Sequence, residues 1–221
     1  MSVASGSSVE ARDDVDDATA SDAPVASRSH TRHGEQRKQQ LLDAAAALFA
    51  QHGYSATRIA DICREAGVAK GLFYWYFPTK AELFTELVRV MRRRLRRSQA
   101  EAMDEDASAL DRIVAGTEAS VRFMAANAAY FALLEVERTD PEFADVFSEG
   151  SGVYLSDVRR LVVSGQVDGT IADGDPHLLS IGVLGAVSAF SNSYRSGTLD
   201  PDVTVEVLAH FVGQWVRHAL T

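Results

Sequence analysis

Apolar residues recur at the spacing of an amphipathic helix along almost the whole chain after residue 34. The first such stretch predicts a helix that begins near Glu35 and ends at Gly53. Its apolar positions follow one another at steps of three and four residues, and they are Leu41, Leu42, Ala45, Leu48 and Phe49. This pattern predicts that one face of the helix is buried.

Two short helices are predicted next, separated by a glycine. Thr57 is a good N-cap for the second helix, which ends at Gly67. The third helix is predicted to run through residues 71–77 and to end before Pro78, because the residue before a proline is pushed out of helical geometry. Two short helices that meet at a glycine form a helix-turn-helix arrangement.

The remainder of the chain is also predicted to be helical. Thr79 and Glu82 form a capping box for a long fourth helix, and the arginines near its far end suit the negative pole of the helix dipole. Five more helices are expected over residues 107–126, 128–138, 151–167, 176–195 and 202–219, with glycines and prolines between them. No segment alternates with the period of a strand, so the fold class is all-α with about nine helices.

Composition narrows the functional classes. The chain has 46% hydrophobic residues but no uncharged apolar run long enough to span a membrane, and its N-terminus lacks the apolar core of a signal peptide. A single cysteine, Cys63, excludes an intramolecular disulfide and fits a reducing cytoplasm. The dispersed histidines have no zinc-ligand spacing, so neither a metal nor a cofactor is expected.

Charge is distributed unevenly along the chain. The net charge is −9, yet residues 35–97 contain 12 basic and 6 acidic residues, whereas residues 98–221 contain 7 basic and 19 acidic ones. A basic segment beside acidic ones is typical of a local polyanion-binding surface. Residues 1–33 have no helical or strand period and are predicted to be a disordered tail. Its last basic residues are either a basic arm for the minor groove or an idle solvated tail, and they are Arg28, Arg32 and His33.

The third helix has the chemistry of a DNA-reading element. Phe73 and Phe77 are one turn apart and are predicted to pack inward. Five residues are left on or near the outer surface, and they are Lys70, Gly71, Tyr74, Trp75 and Tyr76. Tyrosine hydroxyls and a lysine can contact phosphates, and a glycine lets the backbone approach DNA. Lys80 lies in the first turn of the fourth helix, where the dipole disfavours a cation, so it either contacts a DNA phosphate or is simply solvated.

Residues 37–84 resemble the DNA-binding domain of the TetR family of one-component repressors. The matching residues are Leu41 to Ala45, Leu48, Phe49, Gly53, Tyr54, Thr57, Ile62, Ala66 to Val68, Lys70, Gly71, Tyr74, Tyr76, Phe77, Lys80, Leu83 and Phe84. Cys63 replaces the usual alanine, and Leu72 stands where the family usually has a hydroxyl residue. The resemblance implies DNA contacts for Thr57, Arg58, Lys70, Tyr74, Tyr76 and Lys80.

The resemblance also implies dimerisation and ligand binding by the C-terminal part. The last two helices would form a four-helix dimer interface, for which the candidate residues are Leu178, Ile181, Gly185, Phe190, Leu208, Phe211 and Trp215. Alternatively, both apolar stripes are buried within one subunit. The candidate ligand residues are Phe123, Asn127, Tyr130, Glu135, Phe147 and Tyr154. The expected organisation is therefore the tail 1–33, a DNA-binding domain 34–80 and a ligand-binding and dimerisation domain 81–221.

The sequence thus predicts a homodimeric transcriptional repressor that a small-molecule effector releases from a palindromic operator. An enzyme is not expected, because no motif pairs a nucleophile with a base and Glu135 and Glu137 face different ways on a helix. The alternative is a helical dimer that has lost DNA reading and acts as a binding or structural protein, for which Leu72 gives slight support.

Overall fold

A computed structural model of the 221-residue chain describes the backbone of residues 25–221 and the side chains from residue 33 onward. Within that part the secondary structure is entirely helical. The helices are α1 Val25–His52, α2 Ile59–Glu65, α3 Lys70–Tyr76, α4 Lys80–Ala102, α5 Ala109–Ala126, α6 Ala128–Glu137, α7 Ala144–Asp168, α8 Pro176–Arg195 and α9 Val205–Leu220, with a 3-10 helix at Pro141–Phe143 before α7. The predicted all-α class is confirmed.

Two helices begin well before their predicted N-terminal ends, while α5 and α9 begin two and three residues later than predicted. Helix α1 begins at Val25 rather than near Glu35, and α7 begins at Ala144 rather than near residue 151. The early part of α1 lacks an apolar face, so hydrophobic spacing could not signal it. The predicted break at Gly150 and Gly152 is wrong, because both glycines lie inside α7. The proposed roles of Arg28 and Arg32, like most of the predicted tail, lie outside the residues whose side chains are described.

Local capping explains how the helices of the N-terminal part, α1–α3, which we call the head, lead into α4. Gly67 adopts a left-handed φ of 64°, the N–H of Val68 donates to the carbonyl of Cys63 at 3.0 Å, and the N–H of Gly67 donates to that of Arg64 at 3.2 Å. These bonds form a Schellman motif, which satisfies the last carbonyls of α2 and turns the chain into α3. Thr79 caps α4 by accepting from the N–H of Glu82 at 3.0 Å.

The predicted N-cap of α2 is wrong. Arg58 occupies that position without a side-chain cap, and Thr57 is buried. The Thr57 hydroxyl instead donates to the carbonyl of Gly53 at 2.8 Å and lies 3.3 Å from that of Leu48. It therefore ties the end of α1 to the loop before α2.

The described residues from Arg37 to Thr221 form one compact unit with two apolar cores. The first core joins α1–α4 to α6 and the 3-10 helix, so it continues past the domain boundary expected at residue 80. Tyr54 lies at its centre, with its ring centroid 5.2 Å from that of Phe84 and 5.0 Å from that of Phe143. The second core joins α5 and α7–α9.

Candidate nucleic-acid interface and ligand cavities

Helix α3 presents an aromatic and basic outer surface. Phe73 and Phe77 are buried, as predicted, whereas the Tyr74 and Trp75 side chains are 47% and 74% exposed. The ammonium of Lys70 lies 5.9 Å from the Tyr74 ring centroid, and the Trp75 ring packs edge-on against Tyr76 at 4.5 Å. A rigid aromatic surface beside a cation suits a phosphate backbone with exposed base edges.

Other predicted DNA-contacting positions on this surface are accessible. Arg58 is exposed at the start of α2, and Gly71 is exposed with open space where a Cβ would project. Tyr76 is half-buried, and Leu72 is half-buried beside it. We call the exposed residues Arg58, Lys70, Gly71, Tyr74 and Trp75 the recognition surface. Trp75 was not among the residues to which the sequence assigned a DNA contact, although its position next to Tyr74 already placed it on the outer side.

Two predicted contact residues are engaged inside the protein instead. Thr57 is only 3% exposed, so its hydroxyl is not available at the surface in this conformation. The Lys80 ammonium donates to the carbonyls of Tyr54 at 2.7 Å and Thr57 at 2.9 Å, and it lies 4.2 Å from the Tyr54 ring centroid. These carbonyls, rather than a phosphate, offset the unfavourable dipole at the start of α4.

Lys80 also faces acidic residues of the α6 region. Burial lowers the pKa of Lys80, and the nearby Glu137 and Glu142 carboxylates oppose that shift. Burial likewise raises the pKa of Glu137, and Asp140 adds to the rise, whereas the backbone N–H of Tyr54 and the Lys80 cation counteract it. The loop before α2 is therefore held between α4 and the end of α6.

Cys63 has the structural role that its position predicts. Its thiol is buried beside the turn between α2 and α3. Burial raises the pKa of the Cys63 thiol, and the Lys70 cation only partly offsets this. A redox-sensing thiol needs the opposite environment.

The outer sides of α8 and α9 form an exposed apolar surface. Its large side chains are at least 45% exposed, and they are Leu178, Ile181, Val207, Phe211 and Trp215. Gly182 and Gly185 lie between them with open space above the backbone. We call this set the α8–α9 face. Most predicted interface residues lie here, but Leu208 is 4% exposed and belongs to the second core, while Phe190 is half-buried and packs against Phe211 and Trp215.

Two cavities of about 390 and 420 Å³ lie beside α4 and α7. The smaller cavity is lined by α4, α5, α7 and α8, and Arg112 borders it with its Nε buried and without a hydrogen-bond partner. The larger is lined by α4, α6, α7 and α8, and we call it the arginine-rimmed cavity. Gln99 and Tyr154 line both cavities, where the Gln99 amide donates to Ser120 Oγ at 2.8 Å and the Tyr154 hydroxyl lies 3.3 Å from that oxygen.

The predicted ligand residues are distributed between the cavities and the core. Phe147 and Tyr154 line the arginine-rimmed cavity, whereas Glu135 is exposed outside both cavities. Asn127 ends α5 by donating to the carbonyl of Phe123 at 2.8 Å, and Phe123 packs on the first core. Tyr130 is 6% exposed, and its buried hydroxyl lacks a hydrogen-bond partner. The sequence missed the cavity arginines of α4, because the helix dipole already accounted for them.

Comparison with known proteins supports the sequence resemblance. Residues 41–87 match the family model described as bacterial regulatory proteins, tetR family. The HTH-type transcriptional regulator AcrR of Shigella flexneri is 38% identical over 60 residues, which cover 27% of this chain and 28% of AcrR. An uncharacterized regulator of Bacillus subtilis, YhgD, is 26% identical over 163 residues, or 67% of this chain and 78% of that protein.

Solved structures share the fold over most of the chain. The transcriptional regulator FadR of Bacillus subtilis, solved in complex with stearoyl-CoA, superposes with a TM-score of 0.72 at 22% identity and covers 83% of this chain and 99% of FadR. The AcrR match has the higher identity but is short, whereas YhgD and FadR match most of the chain at lower identity. None of the described helices is long and apolar enough to cross a membrane.

Proposed function

We propose that the chain, whose residues 41–87 match the model of the tetR family of bacterial regulatory proteins, is a transcriptional repressor of that family that binds its operator as a homodimer and is released by a small-molecule effector. The observation that carries this proposal is the recognition surface. Lys70, Tyr74 and Trp75 are all exposed on the second helix of a helix-turn-helix, the helix that enters the major groove in such motifs.

The α8–α9 face supports pairing. One recognition helix makes few base contacts, and two-fold pairing lets two helices read half-sites about 34–36 Å apart. A contiguous apolar surface with glycines allows close approach of a second copy. Self-association through this surface relates two recognition helices by a two-fold axis, and a palindromic operator has the same symmetry.

The arginine-rimmed cavity supports effector control, because its walls include elements that also hold the head. Helix α4 lines the cavity with its C-terminal half and packs into the first core with its N-terminal half. Helix α6 lines the cavity with Phe131 and Leu134, and the 3-10 helix after it places Phe143 against Tyr54. A ligand that favours one arrangement of α4 and α6 shifts the population of DNA-competent heads.

Selection of bound fragments from the source genome, followed by salt titration on the selected site and on random DNA, tests the proposal. A repressor binds the selected site far more tightly than random DNA, and its affinity falls steeply with salt. Lys70→Ala is expected to weaken binding to both DNAs and to flatten the log–log salt slope by about 0.9. Arg97→Ala, an exposed change at the far end of α4, is the matched control.

The alternative function makes the opposite prediction. A helical dimer without DNA reading binds the selected and random sites equally and weakly, and Lys70→Ala then changes nothing. If the dimer, in dilute buffer and without ligand, prefers no genomic fragment over random DNA, that result contradicts the proposal of a repressor.

A further inference from the structure

The arginine-rimmed cavity combines an apolar interior with positive charge. Its apolar lining residues are Leu95, Phe131, Leu134, Phe147, Val153 and Leu184. Five arginines line it against one carboxylate, that of Glu149, and they are Arg89, Arg92, Arg93, Arg96 and Arg138. Four of the five arginines belong to α4, at the end of the basic segment 35–97, and only Arg138 comes from the acidic residues 98–221.

Most of these arginines already have a carboxylate partner. Arg89 pairs with Glu149 at 3.2 Å, and Arg96 pairs with Asp157 at 2.7 Å. Arg93 pairs with Glu86 at 3.2 Å. These three side chains are about half exposed or more, so they form the outer rim of the cavity.

Arg92 differs from these three. It is half-buried, and no carboxylate of the described residues lies within 4 Å of its guanidinium. Burial lowers the pKa of Arg92, and the Glu149 carboxylate, which forms its ion pair with Arg89, opposes that shift from a longer distance. The guanidinium remains charged. A partly buried cation without an ion partner is costly, and a bound anion offsets that cost.

The surroundings of Arg92 fix its position and include one buried hydroxyl without a hydrogen-bond partner. A Cβ at Gly150 would clash with the guanidinium carbon of Arg92, so the side chain lies directly on the α7 backbone at that glycine. The neighbouring Tyr130 hydroxyl is buried without a hydrogen-bond partner, and it acts electrostatically on Arg92. Buried polar groups are normally paired, so an unpaired hydroxyl next to a half-buried cation without an ion pair favours an anionic ligand at this position.

We propose that the arginine-rimmed cavity binds an organic anion with an apolar chain, whose carboxylate or phosphate head pairs with Arg92 and whose chain fills the apolar interior. The volume of about 420 Å³ is that of a small-molecule site. This proposal rests on the proposed function only in identifying the ligand with the effector. A free fatty acid and its coenzyme A thioester share the required chemistry.

Calorimetric titration of the full-length protein with four probes separates the possible heads. The probes are dodecanoate, dodecanoyl-CoA, coenzyme A alone and dodecyltrimethylammonium, all below their micelle concentrations. We expect one or both acyl anions to bind with one site per subunit, and the cation and coenzyme A alone to bind at least about tenfold more weakly. Preference for dodecanoate identifies the free acid, and preference for dodecanoyl-CoA the thioester. Equal or tighter binding of the cation, or no binding of either acyl anion, overturns the proposal.

Two variants test whether Arg92 binds the anionic head of the ligand. Arg92→Gln removes the charge and is expected to weaken the acyl anion by about tenfold or more. Gly150→Ala keeps the charge but displaces the guanidinium, and alanine suits the interior of α7 better than glycine, so folding is retained. Arg97→Gln removes an exposed arginine of α4 outside the cavity lining and is the matched control. Unchanged affinity in both test variants overturns the role of Arg92.

The outcome is distinguishable from that of the proposed function. Anion binding is measured without DNA, and release of the selected DNA fragment is measured separately. If the anion binds through Arg92 but never releases DNA, the cavity assignment stands and the effector mechanism fails. If DNA binds but no acyl anion does, the cavity assignment fails and the DNA-binding function stands.

Discussion

Two surfaces of this protein expose aromatic side chains to water, and they differ in the charge beside those rings. On α3, Tyr74 and Trp75 accompany the cation of Lys70. On α8 and α9, Phe211 and Trp215 are among aliphatic side chains and glycines, and residues 178–191 contain no charged residue. A ring beside a cation suits an anionic partner, whereas an uncharged apolar face suits a second copy of itself.

The largest expected effect comes from adding a charge to the α8–α9 face. Ile181→Arg places a guanidinium on that uncharged surface and, in a symmetric dimer, introduces the charge from both subunits. We expect the dimer dissociation constant to rise by about 100-fold or more, as for a hot-spot residue. Sedimentation equilibrium measures it. Val167→Arg, at an 85% exposed apolar position of α7, is the control; an unchanged dimer in Ile181→Arg contradicts the assigned interface.

Replacing each of the two exposed tryptophans by alanine in turn tests whether the two surfaces act independently. Trp75→Ala is expected to weaken operator binding by about 1–3 kcal/mol, the usual cost of disrupting recognition at one base pair, and to leave the dimer intact. Trp215→Ala is expected to weaken the dimer instead. Fluorescence anisotropy on the selected DNA and sedimentation on the protein alone give both quantities. A Trp75→Ala protein that dissociates into monomers would show that the surfaces are not separate.

Lys80 distinguishes a phosphate contact from an internal support for the recognition surface. Lys80→Met retains the side-chain stem but loses the hydrogen bonds to the Tyr54 and Thr57 carbonyls. We expect a loss of about 1.5–3 kcal/mol in the free energy of unfolding, as for hydrogen bonds to a charged group, with an unchanged salt slope for DNA. Denaturant unfolding and salt titration are the measurements, with Lys70→Met as the control that does the reverse. A flatter salt slope at unchanged stability restores the phosphate role.

The smallest effect concerns pH and Glu137. Because the pKa of this carboxylic acid is raised in the folded state, the folded protein favours the protonated form, and the charged form costs stability at neutral pH. Stability from this group therefore rises as the pH falls through its raised pKa towards the ordinary glutamate value, and levels off below that value. Glu137→Gln is expected to remove this pH dependence, with exposed Glu135→Gln as the control. Urea unfolding at a series of pH values measures this dependence. If lowering the pH through that interval reduces the free energy of unfolding more in the wild type than in the Glu137→Gln protein, the assignment is contradicted.

Sequence reasoning was most reliable where structure depends on neighbouring residues. Gly67 ends α2, Pro78 follows α3 and Thr79 caps α4 as predicted, because turn and cap geometry involves residues within a few positions. The order of nine helices in the described residues follows from hydrophobic spacing in the same way. The outward position of Tyr74 and Trp75 also follows, since five consecutive aromatics cannot all face inward.

Reasoning from the sequence failed where partners are distant along the chain. The carbonyls that accept hydrogen bonds from Lys80 belong to Tyr54 and Thr57, and the guanidinium of Arg92 lies against the backbone of Gly150. Leu208 and Phe211 both lie within the wide apolar stripe of α9, and only the packing of α5 and α8 against that helix buries the first and exposes the second.

The sequence by itself therefore determined the helices, the turn that joins α2 to α3 and the chemistry of the recognition helix. Tertiary structure alone decided which apolar side chains remain exposed, which cations already have partners and where the cavities lie. The physical reason is that hydrogen-bond caps and helical periodicity act within one or two turns, whereas burial and charge pairing depend on whichever elements packing brings together.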